Sequence, residues 1–297
     1  MKVHTGLVPA LLIGCLFAFG QAQPARADTG PVKLVATENF YGDIAHQIGG
    51  LLVEVVSILN NPDQDPHLFE ASPAVARQLA DAKIVILNGA DYDPWVAKLL
   101  HASPRPGRVV IEVAQLVGWQ SGGNSHLWYD PATMPKLARA LAAVLAKVDP
   151  DHAADYAQRL KTTLASLARV KARVYAMRSK YYGMAVTATE PVFGPMADAL
   201  GLKMRNRRFQ IAMMNNTEPS ARDLGAFEND LTQHKVRALI YNKQVTSKLT
   251  ARLIAIAHKA KVPVVAVTET QPADTTFADW MLSQLGALDK ALAGPSS

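Results

Sequence analysis

Between Asp151 and Tyr182 the chain runs without a single glycine or proline, in a sequence that holds 18 of each. A run of that length can form one helical rod of ~45 Å at 1.5 Å per residue. Leu160, Leu164, Leu167, Val170 and Val174 recur along it at spacings of three and four, so one apolar stripe runs down the rod. Whatever this chain folds into must use that rod as a spine, with separate material before and after it.

The material on either side has one and the same pattern. Before the spine, Val32-Lys33-Leu34-Val35-Ala36-Thr37, Val53 to Leu59, Lys83 to Gly89 and Arg108 to Val113 read as short strands. Helical spacings at Phe40 to Ile48, Pro73 to Asp81 and Trp95 to His101 separate them, and an alanine-rich helix runs from Pro131 to Leu145. After the spine, strands are expected at Met184 to Thr189, Val236 to Tyr241 and Val262 to Thr268. Helices are expected at Val192 to Leu200, Glu218 to His234, Leu249 to Ala260 and Phe277 to Leu292, with Leu202 to Phe209 irregular or extended. Strands that alternate with helices form mainly parallel sheets covered on both faces. The expected fold is α/β, with two similar lobes at residues 28–148 and 183–297 and a connecting helix at 149–182.

Residues 1–27 are set apart from the fold. Lys2, an apolar run from Leu7 to Phe19 and Ala25-Arg26-Ala27 have the layout of a secretory signal peptide. The apolar run falls short of the roughly 20 residues that span a membrane. Leu12-Ile13-Gly14-Cys15 offers an alternative, a lipid attachment site at Cys15. Cys15 is the one cysteine, so a chain cleaved after Ala27 has neither disulfides nor thiolate metal sites. Removing Lys2 and Arg26, with no acid lost, takes the net charge from +6 to +4. A charge that mild, without a basic stripe interleaved with aromatics, argues against nucleic acid as a partner.

Chemistry concentrates in a phrase written twice. Asp65-Pro66-His67-Leu68-Phe69-Glu70 and His126-Leu127-Trp128-Tyr129-Asp130 both place an aromatic and then an acid after His-Leu. Such a histidine, held by neighbouring prolines and apolar residues, suits a metal ligand or a catalytic base. In parallel sheets ligands bind beyond the carboxyl ends of the strands. His67 follows the second strand and His126 the fourth, so both belong on one rim. In the second lobe Glu190 and Glu269 each end a strand and are closely followed by proline. Two imidazoles facing two carboxylates make a four-ligand site of nitrogen and oxygen donors. Glu190 has another reading, as an acid at a helix start favoured by the dipole.

With these motifs on the page, the chain resembles the metal-binding solute-binding proteins of bacterial ABC transporters, the zinc and manganese family with two lobes joined by a long helix. The resemblance is carried by Asn39-Phe40-Tyr41, Ile48-Gly49-Gly50, the two histidine phrases, and Glu190 ahead of Phe193-Gly194. It implies an exported, periplasmic receptor that is not an enzyme and works as a monomer. Such a receptor binds Zn2+ or Mn2+, with Fe2+ possible, and delivers the ion to an inner-membrane ABC permease. The resemblance implies His67 and His126 as ligands, with Glu190 third and Glu269 fourth. A gapless match from Pro263 would instead place Gln271 at the fourth position, Asp274 is a further candidate, and water could complete the shell. The histidine- and acid-rich insertion carried by many zinc-binding relatives is absent before His126, where only Gln120 to Ser125 stands. Glu70 and Asp130 are expected to orient loops or ligand histidines. The rival reading is a secreted metallohydrolase using the same ligands, although no His-Glu-x-x-His helix, nucleophile elbow or phosphate loop supports it.

Overall fold

The computed structural model describes residues 1–3, 30–63 and 65–294. Most of the expected leader, including Cys15 and Ala25-Arg26-Ala27, lies outside the described residues. The first half runs β1 (Val32–Glu38), α1 (Asn39–Gly49), β2 (Val53–Leu59), α2 (Pro73–Asp81), β3 (Ile84–Leu87), α3 (Pro94–Ala102), β4 (Val109–Glu112) and α4 (Val113–Val117). Its four strands pair in the order β2-β1-β3-β4, all parallel, with Leu34 opposite Ile84 and Ile84 opposite Val109. Ile84-Val85-Ile86-Leu87 is buried at every position, because helices cover both faces of a central parallel strand.

Two helices follow. α5 (Thr133–Val148) leads through a single 3-10 turn at Pro150–His152 into α6 (Ala153–Tyr181), the rod anticipated by the sequence. At 29 residues α6 is ~44 Å long. Its buried residues Tyr156, Thr163, Leu167, Val170, Val174, Met177 and Tyr181 recur every three, four or seven positions and form one stripe.

The second half repeats the first. It runs β5 (Ala185–Ala188), α7 (Gly194–Leu200), β6 (Lys203–Arg205), α8 (Arg207–Met214), α9 (Ala221–Thr232), β7 (Leu239–Asn242), α10 (Lys248–Lys259), β8 (Val264–Val267) and α11 (Phe277–Ala293). The strand order β6-β5-β7-β8 matches the first sheet position for position. Where the pattern gave an irregular or extended stretch at Leu202 to Phe209, the chain is extended as β6 and then, unlike the pattern, enters α8. Asn206, at φ 59°, makes the bend between them, and its side chain donates to Asp230 Oδ2 at 3.0 Å. Arg205 grips the same Asp230 through two hydrogen bonds of 2.6 and 2.9 Å. A long-range carboxylate therefore decides a local conformation that the local pattern does not reveal.

One buried apolar cluster runs from the first sheet through α6 into the second half, taking in Leu34, Val170, Val186 and Leu285. Aromatic rings form its middle. Phe40 stacks on Trp128 at 4.5 Å between centroids and lies 6.1 Å from Trp280, while Tyr129 meets both Phe193 and Trp280. α6 is tied to α11 by Arg173 to Asp289 at 2.8 Å and by Tyr181 Oη donating to Asp289 Oδ1 at 2.7 Å.

The packing of α1 on β2 is tight at Gly49, where an added Cβ would sit 2.5 Å from both Cβ and Cγ2 of Val53. A β-branched side chain has no free rotamer into which to retreat. Gly49→Ala should therefore cost about 1–3 kcal/mol. Gly225, exposed within α9 with no atom within 4 Å of an added Cβ, should behave oppositely. Gly225→Ala should stabilise by about 0.5–1 kcal/mol. Urea unfolding of both variants checks the pair.

Candidate metal centre

The carboxyl ends of both sheets face one another, and every functional side chain hangs from a segment that leaves a strand there. After β2, Asp65 turns the chain by accepting the backbone N–H of His67 at 2.9 Å, and Pro66–Leu68 forms a 3-10 turn. After β4 and α4, the side-chain oxygen of Asn124 accepts the backbone N–H of His126 at 2.9 Å. After β8 the chain runs straight into Glu269, whose backbone N–H is accepted by Gln244 Oε1.

These segments bring His67, His126 and Glu269 together. The candidate donor atoms of the three lie within 4.8 Å of one another, the one such group of histidines, cysteines or acids among the described residues. His67 Nε2 is 3.4 Å and His126 Nε2 3.3 Å from Glu269 Oε2. The side chains of His126 and Glu269 are wholly buried, whereas that of His67 keeps 22% of its surface exposed.

The tautomer of His126 follows from its surroundings. Asn124 Nδ2 donates to Pro191 O at 2.7 Å and Asn124 Oδ1 accepts from His126 N, which fixes the amide orientation. The same Oδ1 lies 2.8 Å from His126 Nδ1, so Nδ1 must carry the proton. In the neutral ring Nε2 then presents a lone pair, and it is buried without a hydrogen-bond partner. It faces the carboxylate oxygen of Glu269, another lone-pair donor, at 3.3 Å. A cation, or a proton shared between them, is what stabilises two such atoms at that distance.

Glu269 also receives Tyr92 Oη at 2.9 Å on Oε2 and Asn242 Nδ2 at 2.6 Å on Oε1. Burial alone would raise its pKa, but a proton shared with the facing imidazoles of His126 and His67, the alternative to a cation, outweighs burial and holds it well below the usual carboxylate range. Burial works against a charged His67 too, yet the hydrogen bond and charge of Glu269 prevail and raise its pKa. Glu190 is buried on the same rim, and Asn242 Nδ2 donates to its Oε2 at 2.8 Å. Burial, reinforced by the charge of Glu269, raises Glu190 to about 7. One amide group thus links the two carboxylates, and Glu190 stands outside the three-donor group.

Of the other residues weighed for the fourth position, Gln271 turns its side-chain amide to Thr275 O at 2.6 Å, and Asp274 lies exposed at φ 57°. Glu70 is exposed, and Asp130 accepts Ala132 N at the entry to α5. Asp130 thus braces a loop, as expected of it, while the backbone N–H groups of His67 and His126 are accepted by Asp65 and Asn124. Tyr92, Asn124 and Asn242 were not singled out by the sequence. Tyr92 follows a turn in which Gly89, Ala90 and Asp91 all have φ between 54° and 68°. Asp93 holds that turn, its carboxylate accepting Asn88 N and Gly89 N at 2.8 Å each. The available signal was the polar run Asn88 to Pro94, rich in turn-formers, directly after a fully buried strand.

Two parallel sheets of matching order around one long helix, with imidazoles and carboxylates meeting between the strand ends, define a bilobed solute-binding protein. Residues 34–291 match the family model for zinc-uptake complex component A, periplasmic, and the chain belongs to that family. A relative described as a putative metal-binding protein of Treponema pallidum is 24% identical over 311 aligned positions, covering 96% of both chains. The manganese-binding lipoprotein MntA of Bacillus subtilis is 22% identical, covering 83% of each. Among solved structures, the periplasmic zinc-binding protein TroA of Treponema pallidum superposes with a TM-score of 0.73 at 19% identity. That match covers 89% of this chain and 99% of the other.

The phenol of Tyr92 is buried against an ionised partner, and hydrogen bonds to charged groups contribute about 1.5–3 kcal/mol. Tyr92→Phe should lower the stability of the metal-free protein by that amount, read as a shift in the urea midpoint at unchanged slope.

Proposed function

We propose that this protein captures a divalent transition metal ion between its two halves and hands it to an ABC permease for uptake. The protein is exported to the periplasm after losing residues 1–27 and acts as a monomer. Its lobes are 28–148 and 183–297, on either side of the connector 149–182. His67, His126 and Glu269 hold the ion, and Glu190 joins them by exchanging its hydrogen bond from Asn242 for the metal. The observation that carries this reading is the buried lone pair of His126 Nε2, set by Asn124 and turned toward an ionised carboxylate. An imidazole whose other nitrogen is engaged by a neighbouring acceptor has its tautomer and orientation fixed for ligation.

Two nitrogen and two oxygen donors suit Zn2+, Mn2+ and Fe2+ alike, and intrinsic affinity places zinc above the other two. The relatives' names divide in the same way between zinc and manganese. Nothing in the site favours hydrolysis, and the family is one of metal-binding transport proteins rather than enzymes.

Loss of either histidine removes a donor. His67→Ala and His126→Ala should abolish stoichiometric zinc binding in calorimetry, while Asn124→Ala should weaken it about 10–100-fold, the usual effect of losing a residue that orients a ligand. Unchanged binding in His67→Ala would overturn the assignment.

The pH dependence follows from the shifts. His67 is raised above its ordinary value of 6.5, so its proton must be displaced at pH values where a free histidine has already lost it. Glu190, at about 7, also holds a proton at slightly acid pH. Affinity should therefore climb as pH rises through about 6 to 8. Calorimetry in buffers of different ionisation enthalpy should count between one and two protons released per metal at pH 6.5. A count near zero would remove His67 and Glu190 from the ligand set.

A further inference from the structure

Asn242 touches both carboxylates of the rim, donating one amide N–H to Glu190 Oε2 at 2.8 Å and the other to Glu269 Oε1 at 2.6 Å. Its place is fixed from several directions. It ends β7 with 1% of its surface exposed, it lies opposite Val267 of β8, and its own Oδ1 accepts the backbone N–H of Gln244 at 3.0 Å. That last bond settles which end of the amide is the nitrogen, so both of its N–H groups face the carboxylates.

The bond to Glu269 divides the work of its two oxygens. Oε2 faces both imidazoles and receives Tyr92, while Oε1 is spent on the amide. Glu190 must give up its share of the amide to reach an ion, but Glu269 already turns Oε2 toward the histidines and keeps its amide bond, of the strong kind made to an ionised acceptor. Glu269 is thereby held to one oxygen. That oxygen, the two imidazole nitrogens and Glu190 fill a tetrahedral shell, the ordinary one for zinc. Manganese belongs with octahedral shells rich in oxygen, and even with both oxygens of Glu190 engaged these side chains stop short of six donors. Selectivity between divalent ions turns on the number and flexibility of the ligands, and here a buried amide limits both.

We propose that Asn242 is a positioning residue that sets the choice of metal: by tying up Glu269 Oε1 it keeps this carboxylate to Oε2 alone and favours zinc over manganese beyond the margin of intrinsic affinity. The inference rests on the metal-capture reading above and adds the selection of the ion. Zinc and manganese affinities would be measured by calorimetry on the unaltered protein and on Asn242→Leu and Asn242→Ala. With the amide gone, Oε1 loses its hydrogen bond and turns to the ion, so the zinc-to-manganese affinity ratio should fall about tenfold or more in both variants. A general loss of packing would weaken both ions alike and leave that ratio in place. In a crystal structure of the unaltered protein with manganese, Glu269 should ligate through Oε2 only, with Oε1 still on Asn242. An unchanged ratio in folded variants, or both Glu269 oxygens on manganese in that crystal structure, would overturn the inference and leave the metal-capture reading standing. The crystal structure decides if neither variant folds. Binding of neither ion by the unaltered protein would overturn both.

Discussion

A carboxylate taken wholly out of water costs several kcal/mol unless charge and hydrogen bonds replace its hydration. Glu269 is such a group, and much of the rim can be understood as its replacement solvent. Two imidazoles, a phenol and an amide converge on its two oxygens. Each partner comes from a different strand end: His67 follows β2, Tyr92 follows β3, His126 follows β4 and Asn242 ends β7. Each is held by a further contact of its own, Asp65 for His67, the Asp93-braced turn for Tyr92, and Asn124 for His126. Pre-positioning of this kind keeps Glu269 ionised in a place that water does not reach.

The halves that supply these partners share one packed interior. The stack of Phe40 on Trp128, with Trp280 and Tyr129 beside it, belongs to the same buried cluster as the stripe of α6. Polar clasps cross between the halves next to the site. Asn39 both donates to Gln271 O at 2.7 Å and accepts Gln271 N at 3.1 Å, and Tyr129 Oη donates to Thr268 O at 2.6 Å. Asn124, which sets the His126 tautomer, reaches across to Pro191 O, one residue beyond Glu190.

Much of this was legible in the sequence because it depends on periodicity and on strand ends. The rod of α6, the two sheets and the placement of His67, His126 and Glu269 on facing rims follow from apolar spacing, proline punctuation and the rule that ligands gather beyond carboxyl ends. The remainder depends on contacts between distant residues. α8 was hidden because Asp230 sets the bend at Asn206, and α4 because a helix of five residues closed by Gly118 leaves too short a pattern to separate from the strand before it. Tyr92, Asn124 and Asn242 were missed for a related reason, since an asparagine in a loop acquires its role only from what the fold brings within 3 Å. Glu190 was read as a ligand facing the histidines, and the amide of Asn242, which donates to both Glu190 and Glu269, is the link between the carboxylates that the sequence does not display.

The shared aromatic core bears on kinetics. In receptors whose lobes swing apart, the lifetime of the bound state is set by a domain motion, and every donor lets go at once. Here the two halves are built on one continuous interior, and of the three clustered side chains only His67 keeps exposed surface, so the way from solvent to the buried carboxylate passes that imidazole first. In such a body, access to the carboxylate is a matter of one side chain, on a segment turned by Asp65, rather than of a swing of whole lobes.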